Sequence, residues 1–141
     1  MRMRVLILLM LALLAGCAGQ ATRGDDLYRS MGGHDGTSRL VGAILDRVYA
    51  DERIAFLFKD TDRPVLHDIL VEQFCAEAGG GCTYNGLSMQ ETHSGMAIKA
   101  SEFDAFVEDV ILGMEDVGLG TRTQNRLLRI FAPMRGDVIN R

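Results

Sequence analysis

No segment of this chain alternates apolar and polar residues for long enough to make a strand, which excludes folds built on a sheet. Proline is scarce, with only Pro64 and Pro133 to interrupt long helices. Basic residues are also too few for a nucleic-acid partner. Fifteen Lys and Arg face nineteen Asp and Glu, a formal net charge of −4, and no basic cluster stands out. There is no internal repeat, no phosphate-binding loop and no nucleophile paired with a base. Asp and Glu fall mainly on the polar faces of the expected helices, where solvated charge is the plain reading. The eight methionines suit a pliable core and a cofactor pocket equally well.

What is present begins with a leader. Residues 1–4 carry Arg2 and Arg4, and residues 5–14 are an unbroken apolar run. That run is too short to span a bilayer and fits the core of a secretory signal. Leu14-Ala15-Gly16-Cys17 then resembles the bacterial lipobox, in which the chain is cut before the cysteine and the cysteine is lipidated. The organisation expected is a signal peptide over 1–16, a lipidated tether over 17–24 and one domain over 25–141. A plain signal peptide cut within 18–21 is the alternative. Either places the domain outside the cytoplasm. The first puts it on the periplasmic face of a bacterial membrane, the outer membrane among the options, held by its lipid alone.

With Cys17 consumed by lipid, Cys75 and Cys82 remain as an even pair in an oxidising compartment, which favours a disulfide. A zinc site using them with His67 or His93 is conceivable, but the spacing matches no established ligand pattern.

The domain reads as all-α. Residues 25–31 make a short turn of helix, closed by Gly32-Gly33. Leu40, Val41, Ile44, Leu45, Val48 and Tyr49 recur on one face over 37–50. A third helix is expected over 64–78, with Leu66, Ile69, Leu70, Gln73 and Phe74 inward. Ser101 and Asp104 read as a capping pair for a fourth, striped by Phe103, Phe106, Val107, Val110, Ile111 and Met114. The last spans 123–139 and should kink at Pro133.

Between the long helices, residues 79–98 run through three glycines, a Tyr84-Asn85-Gly86 turn and one helical turn that sets Met89 and His93 at i, i+4. A lone histidine on a brief helix, among apolar and glycine neighbours, suits an axial ligand to a flat apolar cofactor. The plainer reading of His93 is a partly buried histidine with no ligand.

The order of elements and a spaced set of residues resemble the truncated haemoglobins, group I in particular. The set is Leu27-Tyr28 with Gly32-Gly33, Ala50-Asp51 leading to Phe56-Leu57-Phe58, Gly79-Gly80 followed by Tyr84-Asn85-Gly86, then Met89, Thr92-His93 and Ile98. The resemblance implies a two-over-two helical sandwich, and haem b held by His93 as the proximal iron ligand. Phe58, Leu66, Leu70, Phe74, Met89 and Ile98 would line the ring. On the distal side the family's usual tyrosine is Leu45, and its polar helix positions are Leu66 and Leu70. A distal donor is worth roughly 1–3 kcal/mol to a ligand that gathers negative charge, so strong oxygen retention is not expected. Tyr49, His67 and Gln73 are the remaining polar candidates near that pocket.

The function this implies is reversible binding of small diatomic ligands (oxygen, nitric oxide, carbon monoxide). The rival readings are a haem enzyme for nitric-oxide or peroxide detoxification, which would need an unidentified electron donor, and a haem-free envelope lipoprotein on a globin scaffold.

Overall fold

The structure, a computed structural model, describes residues 26–141. The expected signal peptide and the tether with Cys17 lie outside the described residues. Among the described residues there are helices and turns but no strand: α1 (Asp26–Ser30), α2 (Gly33–Ala50), a 3-10 turn (Ala55–Phe58), α3 (Arg63–Glu77), α4 (Met89–Thr92), α5 (Ala100–Asp116), α6 (Thr121–Phe131), a second 3-10 turn (Ala132–Met134) and α7 (Arg135–Val138).

Helix α2 is the centre, packed against both α3 and α5. Its sequence explains why. Leu40, Val41, Ile44, Leu45 and Val48 are all buried, along with Thr37 at its start. Each fully buried aliphatic side chain contributes up to about 1.5–3 kcal/mol. The α2–α5 crossing is close because α5 offers Gly113. A Cβ there would stand 2.7 Å from Ile44 Cγ1 and 3.0 Å from the Ile44 backbone, so any side chain would push the helices apart. The result is the two-over-two sandwich, with α2 and α3 in one layer and α5 and α6 in the other.

Boundaries and faces depart from the sequence expectations in four places. Helix α2 begins at Gly33, before the apolar stripe does, after a left-handed Gly32 at φ 93°. On α3, Ile69 is exposed while Val71 and Cys75 are buried, because α2 rather than solvent lies over that side. Helix α5 begins at Ala100, not at a Ser101 cap. The Lys99 N–H donates to the Glu102 carboxylate at 2.8 Å, and Asp104 instead lies 3.5 Å from Arg135. Finally, Pro133 does more than kink the last helix. Lacking an N–H, it ends α6 at Phe131, and the chain passes through a 3-10 turn before α7.

At one end of the α2–α5 contact lies a knot of charge. Arg47 donates to both oxygens of Asp116, at 2.5 and 2.7 Å, and Arg53 bridges Asp51 and Glu108, each at 2.7 Å. Such exposed pairs contribute at most about 1 kcal/mol each. Asp109 is buried among them, and among the described residues its Oδ2 has no hydrogen-bond partner. Burial, then the Asp51 anion, push its carboxyl above the usual aspartate range, while Arg53 and Arg47 pull the other way.

Candidate functional site

Helix α4 is only one turn long, and it is stable because its ends and sides are tied. The Ser88 hydroxyl accepts from the Glu91 N–H at 3.2 Å, and the Glu91 carboxylate accepts from the Ser88 N–H at 3.0 Å. The Ser88 hydroxyl also donates to that carboxylate at 2.6 Å. The hydroxyl first, then the backbone N–H, hold Glu91 below the usual glutamate range. Gln90 Nε2 donates to Asp137 Oδ1 at 2.7 Å, joining α4 to α7. Just beyond, the Ala97 N–H donates to the Arg141 carbonyl at 2.8 Å. The helix stops at His93, its C-cap, and Gly95 turns the chain away at φ 79°.

His93 is half-buried, and its Nδ1 lies 2.8 Å from the Met89 carbonyl oxygen. A carbonyl can only accept, so Nδ1 carries a hydrogen, and in the neutral ring the lone pair is left on Nε2. Among the described residues nothing else bonds this ring. A backbone carbonyl on the far nitrogen fixes tautomer and ring orientation and raises ligand basicity, the usual arrangement behind a metal-binding imidazole.

The apolar residues expected around His93 differ in how much surface they offer. Leu66, Leu70 and Phe74 follow at i, i+4, i+8 along α3, the first two half-buried and Phe74 nearly covered. Phe58 is half-buried, its ring 5.9 Å from that of Tyr49 and stacked at 6.5 Å on Phe106. Phe74 packs on Phe131 at 4.6 Å. Ile98 is buried. A flat apolar ring fits this donor set: one neutral imidazole nitrogen, half-buried leucine and phenylalanine faces, and no carboxylate among them. In the sequence Phe106 and Phe131 read as core-face residues rather than as part of this wall, because a helical stripe reads the same whether it meets other side chains or a cofactor.

The distal candidates separate in space. Leu45 is only 1% exposed, covered within the core. The Tyr49 hydroxyl donates to the Thr61 carbonyl at 3.4 Å, and the Arg63 guanidinium covers its ring at 5.3 Å. His67 is held on α2, its Nε2 3.1 Å from the Ser38 carbonyl oxygen and its Nδ1 3.0 Å from Asp68. These contacts turn His67 toward α2, about 100° round the helix from Leu66. It lines a separate surface cavity of about 370 Å³ with His34, Ser38, Glu72, Cys75 and Cys82. Gln73, grouped with the distal residues from sequence, reaches the His93 helix instead: its Nε2 lies 3.8 Å from Met89 Sδ.

Cys75 and Cys82 are joined in a disulfide, with their Cα atoms 5.7 Å apart. The bond closes the glycine run at the start of the loop that leads to α4. The fit is tight at Gly80, where a Cβ would stand 2.7 Å from both Cys75 Sγ and the Tyr28 ring.

A helical sandwich that carries a carbonyl-tethered histidine on a one-turn helix is the arrangement of the globin class. The family described as Bacterial-like globin matches residues 26–140. The chain belongs to that family. It is 26% identical to the group 1 truncated hemoglobin of Tetrahymena pyriformis over 115 residues, covering 82% of this chain and 95% of that protein. It is 28% identical over 112 residues to one from Mycolicibacterium paratuberculosis, covering 79% and 82% respectively. The crystal structure of the Tetrahymena pyriformis protein in its Fe(III) form superposes with a TM-score of 0.78, at 26% identity, over 82% of this chain and 98% of that one. The 2/2 hemoglobin of a Synechococcus species, in a cyanomet state with covalently attached heme, gives 0.76 at 25% identity over the same shares.

Proposed function

We propose that this globin binds haem b through His93 and takes up small diatomic ligands reversibly, outside the cytoplasm. The observation that carries the reading is the 2.8 Å contact between His93 Nδ1 and the Met89 carbonyl, which leaves Nε2 as the bare donor. When bound there, haem supplies an iron centre able to take up oxygen, nitric oxide or carbon monoxide. His93 holds and orients it, Leu66, Leu70 and Phe58 exclude water, and Phe74 with Phe131 backs the apolar wall. No polar side chain among the described residues is directed at the Leu66 and Leu70 face by a contact seen here. Ligand sensing, storage or scavenging therefore suits the site better than long-term oxygen carriage.

An extracytoplasmic setting is supported by the Cys75–Cys82 disulfide and by the leader and lipobox pattern of the first seventeen residues.

The test is an absorption spectrum of the protein purified after export and given haem in stoichiometric amount. A Soret band that shifts on reduction and again on adding carbon monoxide is the expected result. A chain that stays colourless while its circular dichroism remains helical would overturn the reading and favour a haem-free role.

A further inference from the structure

We propose that Gln73 is a positioning residue for His93, acting through Met89. The proposal rests on the haem reading for its consequence but not for its geometry.

Gln73 lies on α3 between Leu70 and Phe74 and is only 6% exposed. A buried amide costs free energy unless its donors and acceptor are matched. Among the described residues its side chain makes one weak and specific bond, from Nε2 to Met89 Sδ at 3.8 Å. Leucine or methionine would fill the same space on an apolar helix face without that cost, so packing alone does not account for an amide here.

Met89 is the residue that makes the placement consequential. Its sulfur takes the Gln73 N–H, and its carbonyl takes the His93 Nδ1–H. Methionine has three rotatable side-chain bonds and is a pliable packer. Pinning its sulfur limits how a one-turn helix can rotate about its own axis. The other ties on α4, the Ser88–Glu91 cap and the Gln90–Asp137 bond, are on exposed side chains. Gln73 is the buried link from the fifteen-residue α3 to this turn. It holds the Met89 carbonyl in line with the imidazole, keeps the hydrogen on Nδ1, and so maintains the basicity of Nε2.

The experiment uses Gln73→Met, which keeps length and volume but removes the donor, Met89→Leu, which removes the acceptor, and the double variant. Nitrogen-15 NMR of haem-free protein in alkaline buffer, where imidazole is neutral, reads the His93 tautomer. Resonance Raman of the ferrous haem form reads the iron–histidine stretch, and transfer to an excess of a haem-scavenging globin reads release. The wild type should hold a single Nδ1–H tautomer. Each single variant should show a mixture, lower the stretch and release haem about tenfold faster. The double variant should be no worse than the worse single one, because both break one link. A tautomer that responds in a chain showing no Soret band leaves this inference standing and removes the haem reading. A normal Soret band with tautomer and stretch unmoved in Gln73→Met, or single effects that multiply in the double, overturns the inference alone.

Discussion

The backbone N–H of Asn140 donates to the carbonyl of Ile98 at 3.0 Å, tying the last described turn to the strand of chain just after His93. With Asp137 accepting from Gln90 at 2.7 Å, the C-terminal segment is tied to the turn that carries His93, as α3 is through Gln73 and Met89. Replacing Asp137→Ala removes one such bond. At about 1 kcal/mol, haem should leave about fivefold faster with the helical content unchanged. Transfer kinetics to a haem-scavenging globin measure this directly, and an unaltered rate would show that α7 plays no part in holding the loop.

His93→Ala removes the imidazole that the haem reading assigns to the iron. Haem should be lost or held only by apolar contact, and the five-coordinate ferrous spectrum should vanish. External imidazole added to the variant should restore part of the spectrum. A variant with a normal ferrous spectrum and no added imidazole would mean that another residue ligates the iron.

On the proposed haem reading, an apolar face of Leu66 and Leu70 predicts ready carbon monoxide binding and fast oxygen release. The structure guides which substitution to use. Leu45 is fully buried, so a tyrosine there would overpack the core at a cost of about 1–3 kcal/mol, comparable to the hydrogen bond it could supply. Leu70 is half-buried and offers room. Leu70→Gln should slow oxygen dissociation about tenfold while leaving carbon monoxide binding little changed. Stopped-flow mixing of the oxygenated protein with carbon monoxide decides between this and a pocket already served by another donor.

Protein recovered from the periplasm should carry Cys75 and Cys82 as a disulfide, seen as a mass difference after reduction and thiol blocking. Cys75→Ser with Cys82→Ser should lower stability by about 2–3 kcal/mol, the entropy of closing so short a loop. Free thiols in freshly exported material would contradict the pairing and weaken the case for export.

Asp109 yields a pH prediction whose sign follows from its environment. Burial and the Asp51 anion raise its carboxyl above the unfolded value, so the native state holds that proton the more tightly. The stabilisation this provides is complete below the unfolded aspartate range, about pH 4, and is lost as pH rises through the raised folded value. At pH values above that raised folded value the native state carries a disfavoured buried anion. Asp109→Asn should melt a few degrees higher than wild type at neutral pH, with the gain shrinking in acid. Equal melting curves across the range would mean that Arg47 or Arg53 turns to pair with it.

The residues themselves already determined that this chain is helical, that residues 37–50 and 103–114 carry apolar stripes, and that His93 sits at a single helical turn two residues before Gly95. Those features are local. Periodicity, a missing N–H and a missing Cβ act within a few residues of where they are written. What the tertiary structure alone decided is which of several equivalent side chains meet. Ile69 and Val71 look alike in the sequence, but only Val71 lies under α2. Leu45 and Leu70 read alike in the sequence, but packing covers Leu45 fully and leaves Leu70 half-buried. His67 and Leu66 are adjacent letters, yet the 100° turn between them sends the imidazole to Ser38. The link from Gln73 to Met89 spans sixteen residues, too far for any local rule to reach. It arises only because α3 and the loop after Gly79 fold back on each other, a geometry set by the burial of whole helix faces rather than by the preferences of single residues.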